Sequence, residues 1–541
     1  MHHVPIESQS DRLSWGDTVF LHLEREGMPL NVASVCIFDG PLDFKDCVRT
    51  IESKLPLIPR YLKRVVSPPF GIGLPTWEYD SAFKLRRHVL EVTLKRGTET
   101  ELKTFAASLF GKLMDRRHPL WDVTVVHGLK GGRSAIIIRL HHCLADGIAG
   151  VGIMNSLLDA SPDAPRLPRQ RLKFRVPRAP DPLTSLTTGF VDSYSDFVKR
   201  ILSAFTDLLS MAQRAGAANG GNGNGNSNGK EFATFLPEIT AFTERLHFNV
   251  LYRGPQKFAW TNMPLAQVKA IRHKCGASVN DVILAMVTAT IRRYCELHGD
   301  KVKGKLLRIM VPVNLRGNGS VSELGNRISL VPVTIPLDVR DPLKLLAATH
   351  KRTEFLKSMH AAELVSLAGG LIGMFPNSLQ GLAGPFASQL PVTPFNLVCT
   401  NVPGPQFPLY LLGRKMLSCY PYVPVGGEMA VNCAILSYNG DVCVGFSGDV
   451  HAAPDLAKLE TLLQESFAEL CAAAGVASEE KKEEQKPKKK KTMRIQPPRL
   501  PRQVKTRRNR SDQGASKKIN HSAETRATDP RPPESAPAAQ P

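Results

Sequence analysis

The stretch SAIIIRLHHCLADGIAG, residues 134–150, decides how the chain is read. Its first seven residues are an apolar run closed by Arg139 and Leu140, the pattern of a buried strand. The strand ends at His141 and His142 and passes into a turn or a helix. Successive side chains on a strand point to opposite sides, so the two histidines face apart. If the chain turns helical directly after His142, then His142 and Asp146 stand at i and i+4 on one face. A metal held by two histidines and a carboxylate needs three converging ligands, and His141 diverges from the other two. A hydrogen-bonded structural pair and a catalytic histidine both fit this spacing, and the motif alone does not choose between them.

The wider chain narrows the choice. At 541 residues it exceeds one core, and its 42% hydrophobic and 22% charged residues describe an ordinary globular protein. GAANGGNGNGNSNGK (216–230) is a flexible linker, and the stretch from Ser478 to Pro541 lacks the apolar content to fold. The expected organisation is therefore an N-terminal domain over 1–215, a linker over 216–232, a C-terminal domain over 233–477 and a basic tail over 478–541. The net charge of +21 is uneven, because residues 479–541 hold 18 Lys and Arg against 8 Asp and Glu. LNVASVCIF (30–38) is a predicted strand and TETELKTFAASLFGKLMD (98–115) a predicted helix. In the second half PLAQVKAIRHKCG and SVNDVILAMVTATIRRYCELHG are helices, the latter starting near Ser278 or Asn280. KLLRIMVPVNL, ISLVPVTIP, FNLVCTNV, AVNCAILSYNG and DVCVGFSGD are strands, with a hairpin at SYNGD. The fold class is mixed α/β in two halves.

Other chemistries find little support. The GxSxG match at 225–229 lies inside the linker, so Ser227 has no strand–turn–helix around it. No Walker or Rossmann loop stands in a suitable context. The ten cysteines carry no CxxC spacing, which favours reduced thiols and argues against structural zinc. The start lacks a secretory pattern, and no apolar run is long enough to span a bilayer. The stretch 364–390 is interrupted by Pro376, Asn377, Gln380 and Pro385. An amphipathic helix is expected between Pro182 and Ala215, packed on its own domain or lying on a membrane.

HHCLADG resembles the HHxxxDG signature of the bacterial wax ester synthase/diacylglycerol acyltransferase family. LSWGDTVFLHLE (13–24), PLWD (119–122), SVNDVILA (278–285), VPVNLR, LGNRISLVPVTIP and TNVPGP (400–405) resemble further motifs of that family in the same order, over about residues 11–476. Asn314 in VPVNLR and the loose HFNVLYRGPQ depart from its pattern. The resemblance implies two chloramphenicol-acetyltransferase-like domains with the active site in a channel between them. It implies transfer of a long acyl group from acyl-CoA to diacylglycerol or a fatty alcohol, with His142 as general base.

A thioester is already activated, and a thiol of pKa roughly 8.5 leaves readily, so no acyl-enzyme is required. The weakly acidic alcohol is the difficulty, and a neutral imidazole answers it. The expected catalytic group is His142 with Asp146 and His141 in support, Asp146 holding the loop. Gly147, Asn280, Asp281 and Trp121 are candidates for the substrate site, Asn280 also for the oxyanion. No metal and no cofactor are expected, acyl-CoA being a substrate. The expected location is cytoplasmic, at the surface of a membrane or lipid inclusion. The tail lacks interleaved aromatic residues, which disfavours nucleic acid. A condensation-type acyl or peptidyl transferase and a non-catalytic lipid-binding protein are the alternatives.

Overall fold

The computed structural model describes residues 12–67, 74–145, 147–165, 244–314, 328–358 and 395–477. The segments expected at 182–215, 216–232, 364–390 and 478–541, and Asp146 itself, lie outside the described residues.

β6 (Arg133–His141) is the heart of the first sheet. Every residue after Arg133 is buried, which explains the apolar run AIII: both faces of this strand are covered. It pairs antiparallel with β1 (Asn31–Phe38) on one side and β5 (Trp121–Leu129) on the other. β4 (Val89–Thr93) extends the sheet in parallel beyond β5. Beyond β1 lie β12 (Arg414–Tyr422) and the short β11 (Tyr410–Leu411), both from the far half of the chain. The two sheets therefore do not divide at the Gly/Asn linker. A separate hairpin joins β2 (Lys63–Val66) to β3 (Thr76–Tyr79).

The second sheet runs in the order β7 (Gln256–Pro264), β14 (Asp441–Asp449), β13 (Val431–Tyr438), β10 (Leu397–Pro403), β8 (Leu306–Asn314), β9 (Ile328–Pro336). The five strands expected there are all present, and Tyr438 pairs with Asp441 across the predicted two-residue hairpin.

Period-two alternation sorts the strand residues into cores. Cys36, Phe38, Ile136 and Ile138 face a core shared with α1 (Trp15–Leu23), α2 (Phe44–Lys54) and α4 (Gly147–Leu157). Val35, Ile37 and Ile137 face the other way, into a core with α3 (Glu99–Phe110) and with Phe258, Trp260 and Cys443 of the second sheet. The outer face of the second sheet is covered by α5 (Leu265–Cys275), α6 (Val279–Leu297), α7 (Pro342–Ser358) and α8 (Lys458–Ala473). Among the described residues no single helix is long and apolar enough to cross a membrane, and α6 is apolar because it is buried in that core.

One glycine sets how closely the crossing strand approaches the second sheet. A Cβ at Gly445 of β14 would lie 2.0 Å from the carbonyl oxygen of Pro421 in β12. The Pro421 carbonyl is strand backbone and cannot swing aside, and the Phe258 ring stands 2.9 Å from the same Cβ. Gly445→Ala should therefore cost about 1–3 kcal/mol, the usual scale for overpacking. The urea midpoint is expected to fall; an unchanged midpoint would mean that the two strands can part freely.

Candidate active site

α1 is started by Ser14, whose hydroxyl accepts the Asp17 N–H at 3.0 Å while the Asp17 carboxylate accepts the Ser14 N–H. The helix stops at Glu24, one turn beyond Phe20. That single turn supplies the neighbours of both histidines.

His141 is fully buried at the end of β6. Its Nδ1 accepts the Cys143 N–H at 3.1 Å, so the ring proton sits on Nε2. Nε2 lies 3.3 Å from Glu24 Oε1, within ion-pair range though off the line of an ideal hydrogen bond. The Glu24 side chain is only 2% exposed and also accepts from Arg116 Nη2 at 2.9 Å and from the Leu30 N–H at 3.1 Å. Burial alone would raise its carboxyl pKa. His141, Arg116 and the Leu30 N–H outweigh burial and bring it down to about 2. Glu24 is thus a carboxylate throughout the working pH range.

His142 faces differently. Its backbone N–H donates to the Leu30 carbonyl at 2.9 Å, and its half-buried ring stacks on Phe20 with centroids 3.9 Å apart and planes 10° apart. The Leu30 backbone thereby serves both residues, its N–H holding Glu24 and its carbonyl holding His142. Burial pushes the Cys143 thiol far above its ordinary pKa, which removes it as a nucleophile.

The chain after His142 makes a turn, with Leu144 N–H on the His141 carbonyl, and α4 begins only at Gly147. The helix that would have set His142 and Asp146 at i and i+4 does not include His142. Gly147 meets the facing strand β10: a Cβ there would be 2.6 Å from Val402 Cγ2. The preceding residue of β10, Asn401, donates from Nδ2 to Asn280 Oδ1 at 3.3 Å. The HHxxxDG, TNVPGP and SVND motifs are knitted together by these two contacts. Asn280 is not the cap of α6, a role filled by Ser278.

Two expected substrate residues have other work. Asp281 is fully buried, accepts from Thr353 Oγ1 at 2.6 Å and pairs with His350 Nδ1 at 2.8 Å, tying α6 to α7. Burial raises its pKa, but the bonds from Thr353, the Ser278 N–H and His350 lower it overall. Trp121 is walled in, with Nε1 on the Tyr61 carbonyl at 2.7 Å and rings of Tyr61 and His88 stacked at 4.4 and 4.7 Å. Its neighbour Asp122 pairs with buried Arg139, whose Nη1 caps the end of α3 through the carbonyls of Leu109 and Lys112. Both side chains are thus engaged with partners inside the protein, Asp281 between α6 and α7 and Trp121 in the first core.

The two-sheet fold, with a half-buried histidine at the exit of a central strand, defines an acyltransferase of the HHxxxDG class. Residues 13–283 match the wax ester synthase/diacylglycerol acyltransferase catalytic domain, and residues 324–471 match that family's C-terminal domain. The chain belongs to the wax ester synthase/diacylglycerol acyltransferase family and is an acyltransferase. It is 28% identical over 449 residues to a probable diacylglycerol O-acyltransferase of Mycobacterium tuberculosis, covering 82% of this chain and 91% of that one. A second probable diacylglycerol O-acyltransferase of the same organism is 26% identical over 477 residues, covering 86% of this chain and all of the other. The wax ester synthase/diacylglycerol acyltransferase of Marinobacter aquaeolei VT8 shares the fold, with a TM-score of 0.59 at 24% identity over 86% of this chain and 100% of that one. The first condensation domain of the calcium-dependent antibiotic synthetase shares it at 13% identity and a TM-score of 0.53, over 86% and 98% of the two chains.

The Glu24 cluster makes a stability prediction with a definite sign. A carboxylate with a depressed pKa contributes stability that is complete above its unfolded pKa and lost as pH falls through its folded value. Glu24→Gln should cost on the order of 1–3 kcal/mol at pH 7, because His141 and Arg116 lose a charged partner. The gap from the parent protein should narrow as pH drops from the ordinary 4.5 toward about 2. Denaturation curves at neutral and acid pH check it; a gap independent of pH would mean that the charge of Glu24 contributes nothing.

Proposed function

We propose that this chain transfers a long-chain acyl group from acyl-CoA to the hydroxyl of diacylglycerol, or of a fatty alcohol, with His142 as general base. The observation that carries the assignment of the base is the contrast between the two histidines. His141 is enclosed and committed to Glu24, whereas the half-buried ring of His142 rests on Phe20. The names of the mycobacterial relatives favour diacylglycerol as acceptor.

In the proposed reaction, His142 takes the hydroxyl proton as the acceptor oxygen attacks the thioester carbon. The tetrahedral intermediate collapses, the C–S bond breaks, and the imidazolium returns the proton to the departing CoA sulfur. Asn280, beside Asn401 and close in the chain to the cap of α6, is our candidate to steady the oxyanion. No metal or cofactor has a step in this scheme. Asp146 is assigned to holding the loop.

His142→Ala should lower kcat by roughly 10²–10⁴-fold while the protein stays folded, the usual contribution of a positioned base. His141→Ala should lose stability first and chemistry second. The assay follows free CoA and neutral lipid together, with acyl-CoA and diacylglycerol or hexadecanol as substrates. A well-folded His142→Ala enzyme that keeps near-parental turnover would sink the assignment, and CoA release without ester would favour a hydrolase.

We also assign the basic tail to a lipid surface, because the acceptors are insoluble and KPKKKKTMRIQPPRLPRQVKTRRNR (486–510) concentrates cations. Each Lys or Arg near an anionic surface contributes about 1 kcal/mol. Deleting residues 478–541 should leave turnover on detergent-dispersed substrate unchanged and weaken co-sedimentation with anionic liposomes. Salt should erase the difference. Equal, salt-insensitive sedimentation of both proteins would remove the tail from membrane attachment.

A further inference from the structure

A second cluster of reactive side chains stands apart from the histidine pair and shares no residue with it. His247 lies in the segment 244–250 that leads toward β7, while Cys295 lies near the end of α6 and Asp300 in the turn after it. Ligand atoms of His247, Cys295 and Asp300 all fall within 4.8 Å of one another. Cys295 is fully buried, and the side chains of His247 and Asp300 are 19% and 15% exposed, so the cluster is enclosed yet reachable by water. Both the backbone N–H and the Nδ1–H of His247 donate to Asp300 Oδ2, at 3.2 and 2.7 Å. Nδ1 is the ring nitrogen turned toward Asp300, and the opposite nitrogen, Nε2, is buried without a hydrogen-bond partner and is free to carry the ring proton. Behind it, His298 stacks on His247 at 4.4 Å, held by Asp455 at 3.3 Å and by the Tyr294 carbonyl at 2.8 Å.

We propose that a ring nitrogen of His247, the Cys295 sulfur and an Asp300 oxygen bind one divalent ion of the zinc class, with water as the fourth ligand. The donor set decides the class: nitrogen and sulfur beside one carboxylate suit a borderline ion, whereas calcium and magnesium take oxygen throughout. Bonds of about 2.0–2.3 Å put tetrahedral ligand atoms roughly 3.3–3.8 Å apart, a contraction of about 1 Å from the widest separation here. As the ion binds, the thiol proton leaves to water and the ring proton moves by way of water from Nδ1 to Nε2, so that Nδ1, the nitrogen facing Asp300, presents its lone pair to the ion. The ion is a clasp rather than a catalyst. It joins the start of the second half to the end of α6, where Asn249 and Asn396 already bind each other and Asn396 Oδ1 accepts the Arg308 N–H.

The test uses the full chain, stripped with chelator, re-equilibrated with Zn(II) or Co(II) under reducing conditions and desalted. The parent protein should retain one more equivalent of zinc than Cys295→Ser, His247→Gln or Asp300→Asn, and zinc should raise its melting temperature. The Co(II) form should show a thiolate-to-metal absorption that Cys295→Ser loses and Cys275→Ser, altered at the exposed cysteine, keeps. Should one variant fail to fold, the remaining variants and the parent spectrum still decide. Equal zinc in parent and folded variants, or a Co(II) spectrum without a thiolate band, overturns the proposal.

Discussion

The site depends on one buried carboxylate. Glu24 cannot stay ionised inside the first core unless several donors meet it, and three do: Arg116, His141 and the Leu30 N–H. Meeting that demand fixes the end of α1, the loop to β1 and the ring of His141 in one arrangement. His141 then holds the turn through the Cys143 N–H, and Leu30 holds the His142 backbone. His142, the proposed base, is thereby placed by groups other than the ones it would act on.

The same economy explains why the motifs are scattered. Gly147 lets α4 close on Val402, and the neighbouring Asn401 reaches Asn280 at the start of α6. Three sequence motifs far apart in the chain are thereby brought to one seam. A larger residue at position 147 would push the helix that follows the histidines away from the strand it rests on.

Strands were legible wherever the local pattern carried the cause. The apolar run before His141 and the five strands of the second sheet declare themselves by burial, and the Asn-Gly hairpin by turn chemistry. His141 and His142 differ in their neighbours because the strand ends between them, His141 meeting Glu24 and His142 stacking on Phe20. Other features are set by contacts between distant residues and leave no local mark. RKMLSCYPY gives no hint that it crosses to pair with β1, because a strand pattern does not name its sheet. Glu24 sits at the end of an ordinary amphipathic turn, and nothing nearby predicts that it meets His141. Trp121 and Asp281 lie close to motif residues in sequence, yet ring stacking and helix ties turn them inward.

The central claim is that Glu24 serves catalysis only by placing His142. A double-mutant cycle in the acyl-transfer rate, with Glu24→Ala, His142→Ala and both together, isolates that coupling. The account predicts that Glu24→Ala slows the parent enzyme but adds no further loss once His142 is gone. Losses that simply multiply in the double variant would show two independent contributions and contradict it.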